Sequence, residues 1–383
     1  MKVMECRHFE LQNSLNGLKS TDVPLISLHD HSYSAAGFTD DVGIYYFIPW
    51  IAKTFGISID FAINVFFGSL LSIGACIAIF CFLLMFKDLV SRFVSIFGIL
   101  LLILISYKYS DVYIAFFFAV ISIIPLFTYL RHKSDKLNLS LILSFVFSGV
   151  VIGYSNFIRS HAGTGVLLFL FAWILLNKNL FLKDKTLCIF TLVACTLLPY
   201  SHFKSLEQNR DQFLKQKDPK YESRAVCHPK WHAIYLGLGY FENNSHGIEW
   251  SDRVAYQKAL SINPEVKNCS DEYEQILKDQ FFLIFKKDPF FVLKTIFAKL
   301  FKILIRIIWF ANIGILFLFY VKPSFNLLIP FAIALCFYSL PGILAMPYGT
   351  YLFGMSSVAT IFGIYMICLG LQKYMKKTEP KYV

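Results

Sequence analysis

Apolar residues run through this chain in long blocks, not at the period of a half-buried strand or surface helix. Nine blocks reach or approach the 17–25 residues, roughly, that a helix needs to cross a bilayer. They cover 64–86, 90–107, 111–130, 138–156, 163–177, 186–203, 305–321, 325–346 and 350–372. The block 163–177 is the shortest and must borrow from its flanks. Between the sixth and seventh blocks lies a polar insert, 204–287, whose 84 residues hold 25 charged side chains, 13 basic and 12 acidic. That density marks a folded domain outside the membrane, not a loop.

Short cytoplasmic loops collect Lys and Arg, so loop charge orients the spans. Alternate loops carry Lys87 and Arg92; Arg131, Lys133 and Lys136; Lys178, Lys183 and Lys185; and Lys322. The tail 373–383 adds Lys373, Lys376, Lys377 and Lys381, whereas the opposite short loops hold only Lys108 and Arg159. The C-terminus is therefore expected in the cytoplasm, with the insert and residues 1–43 on the outer side. Segment 1–43 has six acids against three bases, and its polar start, Met1–Leu11, does not read as a cleavable signal. The expectation is an all-α polytopic membrane protein with about nine transmembrane helices and a small extracytoplasmic domain between the sixth and seventh spans. Its parts are an acidic segment 1–43, a membrane domain 44–203, the aromatic insert 204–287, an amphipathic stretch 288–306, a last membrane part 307–372 and the tail. A bacterial inner membrane suits this layout.

Composition agrees with the pattern. The 383 residues are 56% hydrophobic and 16% charged, with mean hydropathy +0.57, which excludes an ordinary water-soluble enzyme. The net charge of +11 would suggest nucleic acid only if it formed a patch on a soluble surface. It is spread over loops and tail instead, so nucleic acid is excluded as a partner and the lipid bilayer is the first one.

Three more features bear on chemistry. Segment 44–57 is apolar but short and holds Pro49, so it reads as an interfacial or re-entrant turn. The stretch 289–306 places Lys294, Lys299, Lys302 and Arg306 on one arc of a helix wheel, a basic face for head groups or a polyanion. Of nine cysteines, Cys227 and Cys269 fall in the insert and form a disulfide candidate on an oxidising side. No CxxC pair is present, so a zinc site is not expected.

Candidate site residues follow from placement. Asp40 and Asp41, just ahead of the interfacial turn, could act as general base on an acceptor hydroxyl or amine, or hold a divalent cation; a solvated helix cap is the plainer reading. Asp111 sits at the mouth of the third span, where capping is again the plainer role. Arg159 and His161, in the next outer turn, suit a phosphate, against a snorkelling Arg as the structural alternative. In the insert, His228, Trp231, His232, Tyr235 and Trp250 gather among glycines and polar groups. Such rings stack on sugars, yet they would equally build a small aromatic core. The spacing of His228 and His232 would suit a metal on a helix, but Pro229 lies between them and no third ligand is apparent. No organic cofactor motif is present.

An outer acidic loop before an interfacial helix, TDDVGIYY, a second acid at a span mouth, YSDVYIAFF, and a later large outer loop together resemble the GT-C membrane glycosyltransferases. The segment DPFFVLKTIFAKLFK resembles the amphipathic stretch after that family's outer loop, and MPYGTYLFG, Met346 to Gly354, is a partial echo of its polar aromatic stretch. One element of the family layout, a transmembrane helix before the first outer loop, has no counterpart in 1–43. The resemblance implies a polyprenyl-phosphate sugar as donor and a glycan, lipid or protein as acceptor. It also implies Asp40 or Asp41 as catalytic base, with Asp111 as the later acid. Arg159, His161, Lys294 and Lys299 would then offset the leaving phosphate, while the insert aromatics line the sugar or acceptor. Two rival readings are an O-antigen polymerase or ligase, which leans on Arg and His, and a polytopic transporter or flippase of glycolipid.

Overall fold

Backbone amides in hydrocarbon can be satisfied only within a helix, so long apolar blocks should fold as helices with polar caps at their ends. The computed structural model describes residues 3–37, 42–108, 111–133, 137–221 and 230–378. Its N-terminal part is more ordered than an acidic loop. Helix α1, Glu5–Thr21, buries Leu11, Leu15 and Leu18, spaced so that one stripe of the helix faces inward. A two-stranded antiparallel hairpin follows, β1 Ile26–His29 and β2 Ser32–Ala35. Asp30 and His31 both have positive φ, 45° and 64°, as the two central residues of a tight hairpin turn require. The expected interfacial turn is helix α2, Val42–Phe55, with Pro49 inside it.

The first membrane part comprises α3 Ile59–Met85, α4 Leu89–Lys108, α5 Ile114–Lys133, α6 Leu139–Ile158, α7 Thr164–Leu176 and α8 Leu182–Lys217. Caps define their starts: Ser58 Oγ accepts from Phe61 N–H at 3.3 Å, and Asn138 Oδ1 from Leu141 N–H at 2.9 Å. The insert then builds α9 Lys230–Gly237, α10 Asp252–Leu260 and α11 Asp271–Lys287. Last come α12 Pro289–Ala311, α13 Gly314–Val321, α14 Phe325–Leu344 and α15 Phe353–Thr378. Pro289 opens α12, and Asp288 accepts from Phe291 N–H at 3.0 Å.

Among the described residues, α3, α4, α5, α6, α8, α14 and α15 are long and apolar enough to cross a membrane. Helices α12 and α13 meet at a 77° bend and are long and apolar enough together for one broken span or a re-entrant loop. Three sequence boundaries shift. Helix α7 has 13 residues, about 20 Å of rise against a hydrocarbon layer of about 30 Å, so it is a shorter apolar helix than the other spans. Helix α8 runs unbroken through the expected boundary at 203 and continues to Lys217. Helix α12 continues past 306 to Ala311.

Contacts between helix ends define two faces. On one, Arg131 reaches the Asn326 carbonyl at 2.9 Å, Lys185 the Leu175 carbonyl at 2.8 Å and Lys373 the Tyr320 carbonyl at 2.9 Å. This is the lysine-rich face. On the other, the domain face, α1, the hairpin and α9–α11 sit over the bundle. The insert has its own core around Leu236, Tyr273 and Leu277, shared with Phe291 and Val292 of α12.

Close helix approach in lipid rests on small residues. Gly149 and Gly153 of α6 lie against α8, where a Cβ would meet Cys195 Cβ at 2.6 Å and the Thr196 carbonyl at 2.7 Å respectively. Gly153→Val is therefore expected to destabilise the protein in detergent by about 1–3 kcal/mol. Gly68→Ala in α3, where nothing lies within 4 Å, is expected to be neutral or slightly stabilising. A thermal unfolding assay compares them, and equal losses would show that the α6–α8 contact is not the sensitive one.

Candidate functional site

The domain face draws four chain segments into one aromatic junction. The C-terminal end of α6 delivers Arg159, whose guanidinium lies 5.0 Å from the Tyr113 ring centroid, a cation–π arrangement. Tyr113, just before α5, meets Tyr351 edge-on at 6.0 Å. Tyr351 belongs to the turn between α14 and α15, stacks with Tyr348 at 6.5 Å and meets Trp250 of the insert at 6.1 Å. Burial, with Tyr113 close by, pushes the Tyr351 hydroxyl up to about 12, so at neutral pH it is a protonated hydrogen-bond donor. Arg159 also caps α6 with its backbone, and His161 is exposed with φ 64°.

A close approach ties α2 to the same place. A Cβ on Gly43 would lie 2.6 Å from the Phe157 carbonyl and 2.9 Å from Ile158 N, immediately before Arg159. The first turn of α2 therefore needs a glycine there. Asp40 and Asp41 lie outside the described residues, as do His228 and Cys227. Cys269 is half-buried.

Other candidates are placed differently from the sequence expectation. Asp111 is not available as an open acid. Its Oδ2 accepts from Arg7 Nη1 at 2.6 Å and its Oδ1 from Val112 N–H at 2.8 Å, with both side chains largely buried. The pair holds α1 to the start of α5 and fixes Asp111 at φ 120°, a region that non-glycine residues enter only when held. Lys299 is 2% exposed and points inward, not to a phosphate at the surface. Its ammonium donates to the carbonyls of Ile343 at 3.1 Å and Ala345 at 2.6 Å, capping the C-terminal end of α14. Gly237 completes this lock, because a Cβ there would meet the Leu344 carbonyl at 2.3 Å. Lys294 and Lys302 lie over the rings of Phe241 and Tyr240, at 5.2 and 5.8 Å. The basic arc thus clamps the insert to α12.

The insert aromatics divide in the same way. Tyr235 is core, and Trp231 packs on Phe281 and Phe282 of α11, so neither forms an open sugar wall. His232 is held at both ring nitrogens, by Tyr273 Oη at 2.5 Å and by Asp252 Oδ1 at 3.0 Å. The amides of Trp231 and His232 donate to Glu274 at 2.9 and 3.1 Å, which caps α9. Among the described insert candidates, Trp250 is the one that reaches the junction. Among the described residues, no group of three His, Cys, Asp or Glu side chains is arranged to hold a metal.

Tyr113, Tyr348 and Tyr351 were not among the residues picked from sequence. Tyr113 stands two places after Asp111, and both others lie in MPYGTYLFG, so a signal was present in each case. Taken together, the junction gathers one cation, Arg159, the Tyr351 phenol and the rings of Tyr113, Tyr348 and Trp250. Comparison with family models, curated proteins and solved structures finds no match.

Truncating one partner of a buried ion pair leaves the other charge stranded. Asp111→Ala and Arg7→Ala are each expected to cost about 3–5 kcal/mol, and the double substitution clearly less than their sum. Unfolding of the purified variants measures this cycle; additive losses would mean that the two side chains do not act as a pair.

Proposed function

We propose that this chain is a membrane glycosyltransferase that moves a sugar from a polyprenyl-phosphate donor to a lipid, glycan or protein acceptor at the domain face. The observation that carries the reading is the junction of Arg159, Tyr113, Tyr351 and Trp250, built from the bundle and the insert together. An Arg beside a phenol donor suits a leaving phosphate, and the indole and tyrosine faces suit a sugar ring. The lysine-rich face, taken as cytoplasmic by the positive-inside rule, supports an extracytoplasmic site in a bacterial inner membrane.

In this mechanism the acceptor oxygen or nitrogen attacks the anomeric carbon while its proton passes to Asp40 or Asp41. The bond from the anomeric carbon to the phosphate oxygen breaks, and polyprenyl phosphate leaves with that electron pair. Arg159, with the Tyr351 hydroxyl, offsets the charge that develops on the leaving oxygen. Asp111, bound to Arg7, orders the start of α5 that carries Tyr113. No divalent cation is required by these steps.

A transporter receives less support. The buried charged side chains among the described residues are Arg7, Asp111, Arg210 and Lys299; the first three lie toward the domain face, and Lys299, midway along α12, reaches the carbonyls of Ile343 and Ala345 at the domain-face end of α14. Transport paths usually place ionisable groups at mid-membrane. An O-antigen polymerase or ligase is the second reading, favoured by Asp111 being held by Arg7 and Val112 N–H and not standing as an open acid.

One assay separates these. Membranes bearing the full chain are given a polyprenyl-phosphate sugar and a lipid acceptor extract, and sugar transfer is followed. Arg159→Gln is expected to lower transfer at least a hundredfold, and Asp40→Asn or Asp41→Asn by a similar factor. Full activity in both Asp variants, with loss in Arg159→Gln, would move the assignment to the polymerase or ligase. Full activity in all three would end the junction's role.

A further inference from the structure

The lysine-rich face contains a feature unrelated to the aromatic junction, a cavity of about 310 Å³ between the ends of α5, α13, α14 and α15. Its polar lining is Arg131, His132, Ser324 and Tyr365. Arg131 spends one donor on the Asn326 carbonyl, at 2.9 Å, out of the five a guanidinium carries. His132 is held against the Tyr365 hydroxyl at 2.8 Å. The opening turn of α14 has no side-chain cap on Ser324, so its amide groups and the positive end of a 20-residue helix face this end of the bundle. Lys322 adjoins the lining in sequence, and Lys373 anchors the neighbouring carbonyl of Tyr320.

The remaining wall is apolar, formed by Val321, Pro323, Leu327 and Leu369. Beside it Phe319 and Phe325 are exposed on α13 and α14, where the membrane would cover them. A soluble anion has no use for such a wall. A molecule with an anionic head and acyl chains matches both halves, and a cavity of this size is at the small end of ordinary ligand pockets. Basic pockets between helix ends are a known solution for acidic head groups.

We propose that this cavity binds the phosphate head group of an anionic diacyl phospholipid. The phosphate lies between Arg131 and the N-terminal end of α14, and the acyl chains run along α13 and α14. The lipid would thereby tie the end of the bent α12–α13 pair to α5 and α15.

The test uses the purified full chain in detergent, with phosphatidylglycerol, phosphatidylcholine and glycerol 3-phosphate as probes. Native mass spectrometry reads retention, and thermal unfolding reads stabilisation. The expected result is retention of about one phosphatidylglycerol per chain with a rise in melting temperature, and neither effect from phosphatidylcholine or glycerol 3-phosphate. Arg131→Gln and the cavity-filling Leu369→Trp should each weaken phosphatidylglycerol retention at least tenfold. Lys178→Gln combined with Lys183→Gln, exposed charges elsewhere on the same face, should leave it unchanged. Should Arg131→Gln fail to fold, Leu369→Trp decides alone. Equal retention of phosphatidylcholine, equal stabilisation by glycerol 3-phosphate, equal loss in the lysine pair, or full retention in a folded Leu369→Trp variant would each overturn the proposal.

Discussion

A charged side chain has nowhere to go inside hydrocarbon, and a backbone amide there has no water to bond. The bundle obeys both restrictions at once. Several interior hydroxyls turn back on their own helices: Ser95, Ser106 and Thr128 donate to the carbonyls of Ser91, Leu102 and Ile124, at 2.7–2.8 Å. Glycines let α6 and α8 touch without polar glue. All remaining chemistry is expelled to the helix ends, which is why the molecule has two contrasting faces and little of interest between them.

At the domain face, ends that are far apart in sequence must be held in register by something other than lipid. Arg7 with Asp111 joins α1 to α5, Gly43 seats α2 on α6, and Lys299 closes α14 onto α12 and the insert. Two of these, through Asp111 and Lys299, use a group that sequence alone would offer to a substrate. The aromatic junction occupies the space left between them, and its residues come from four separate segments. Its geometry therefore depends on the supporting contacts more than on any one helix.

The spans were legible because hydropathy acts locally, block by block. Helix α1 was not, although Leu11, Leu15 and Leu18 carry the right spacing, because its mean polarity hides the stripe. On the basic arc of 289–306, Lys294 and Lys302 are exposed, while Lys299 turns inward. The partners of Lys299 are backbone carbonyls of Ile343 and Ala345, groups that every residue has and no motif announces. Trp231 was open to two readings for a related reason: an indole looks the same in sequence whether it faces Phe281 or a sugar. Trp250 was picked, while its partners Tyr348 and Tyr351 were seen only as an echo of a pattern.

Helix α8 is continuous from Leu182 to Lys217, and Tyr33 of the hairpin rests on Phe213 near its far end, at 5.5 Å. From Leu182 to Phe213 the helix rises about 47 Å, well beyond the hydrocarbon layer. Such a rod behaves as a lever whose fulcrum is the membrane. Bilayers of different thickness change helix tilt before they change helix length, and a small tilt at the base becomes a lateral sweep of several ångströms at the tip. Membrane thickness is thus a mechanical input to where the hairpin stands over the rest of the domain face.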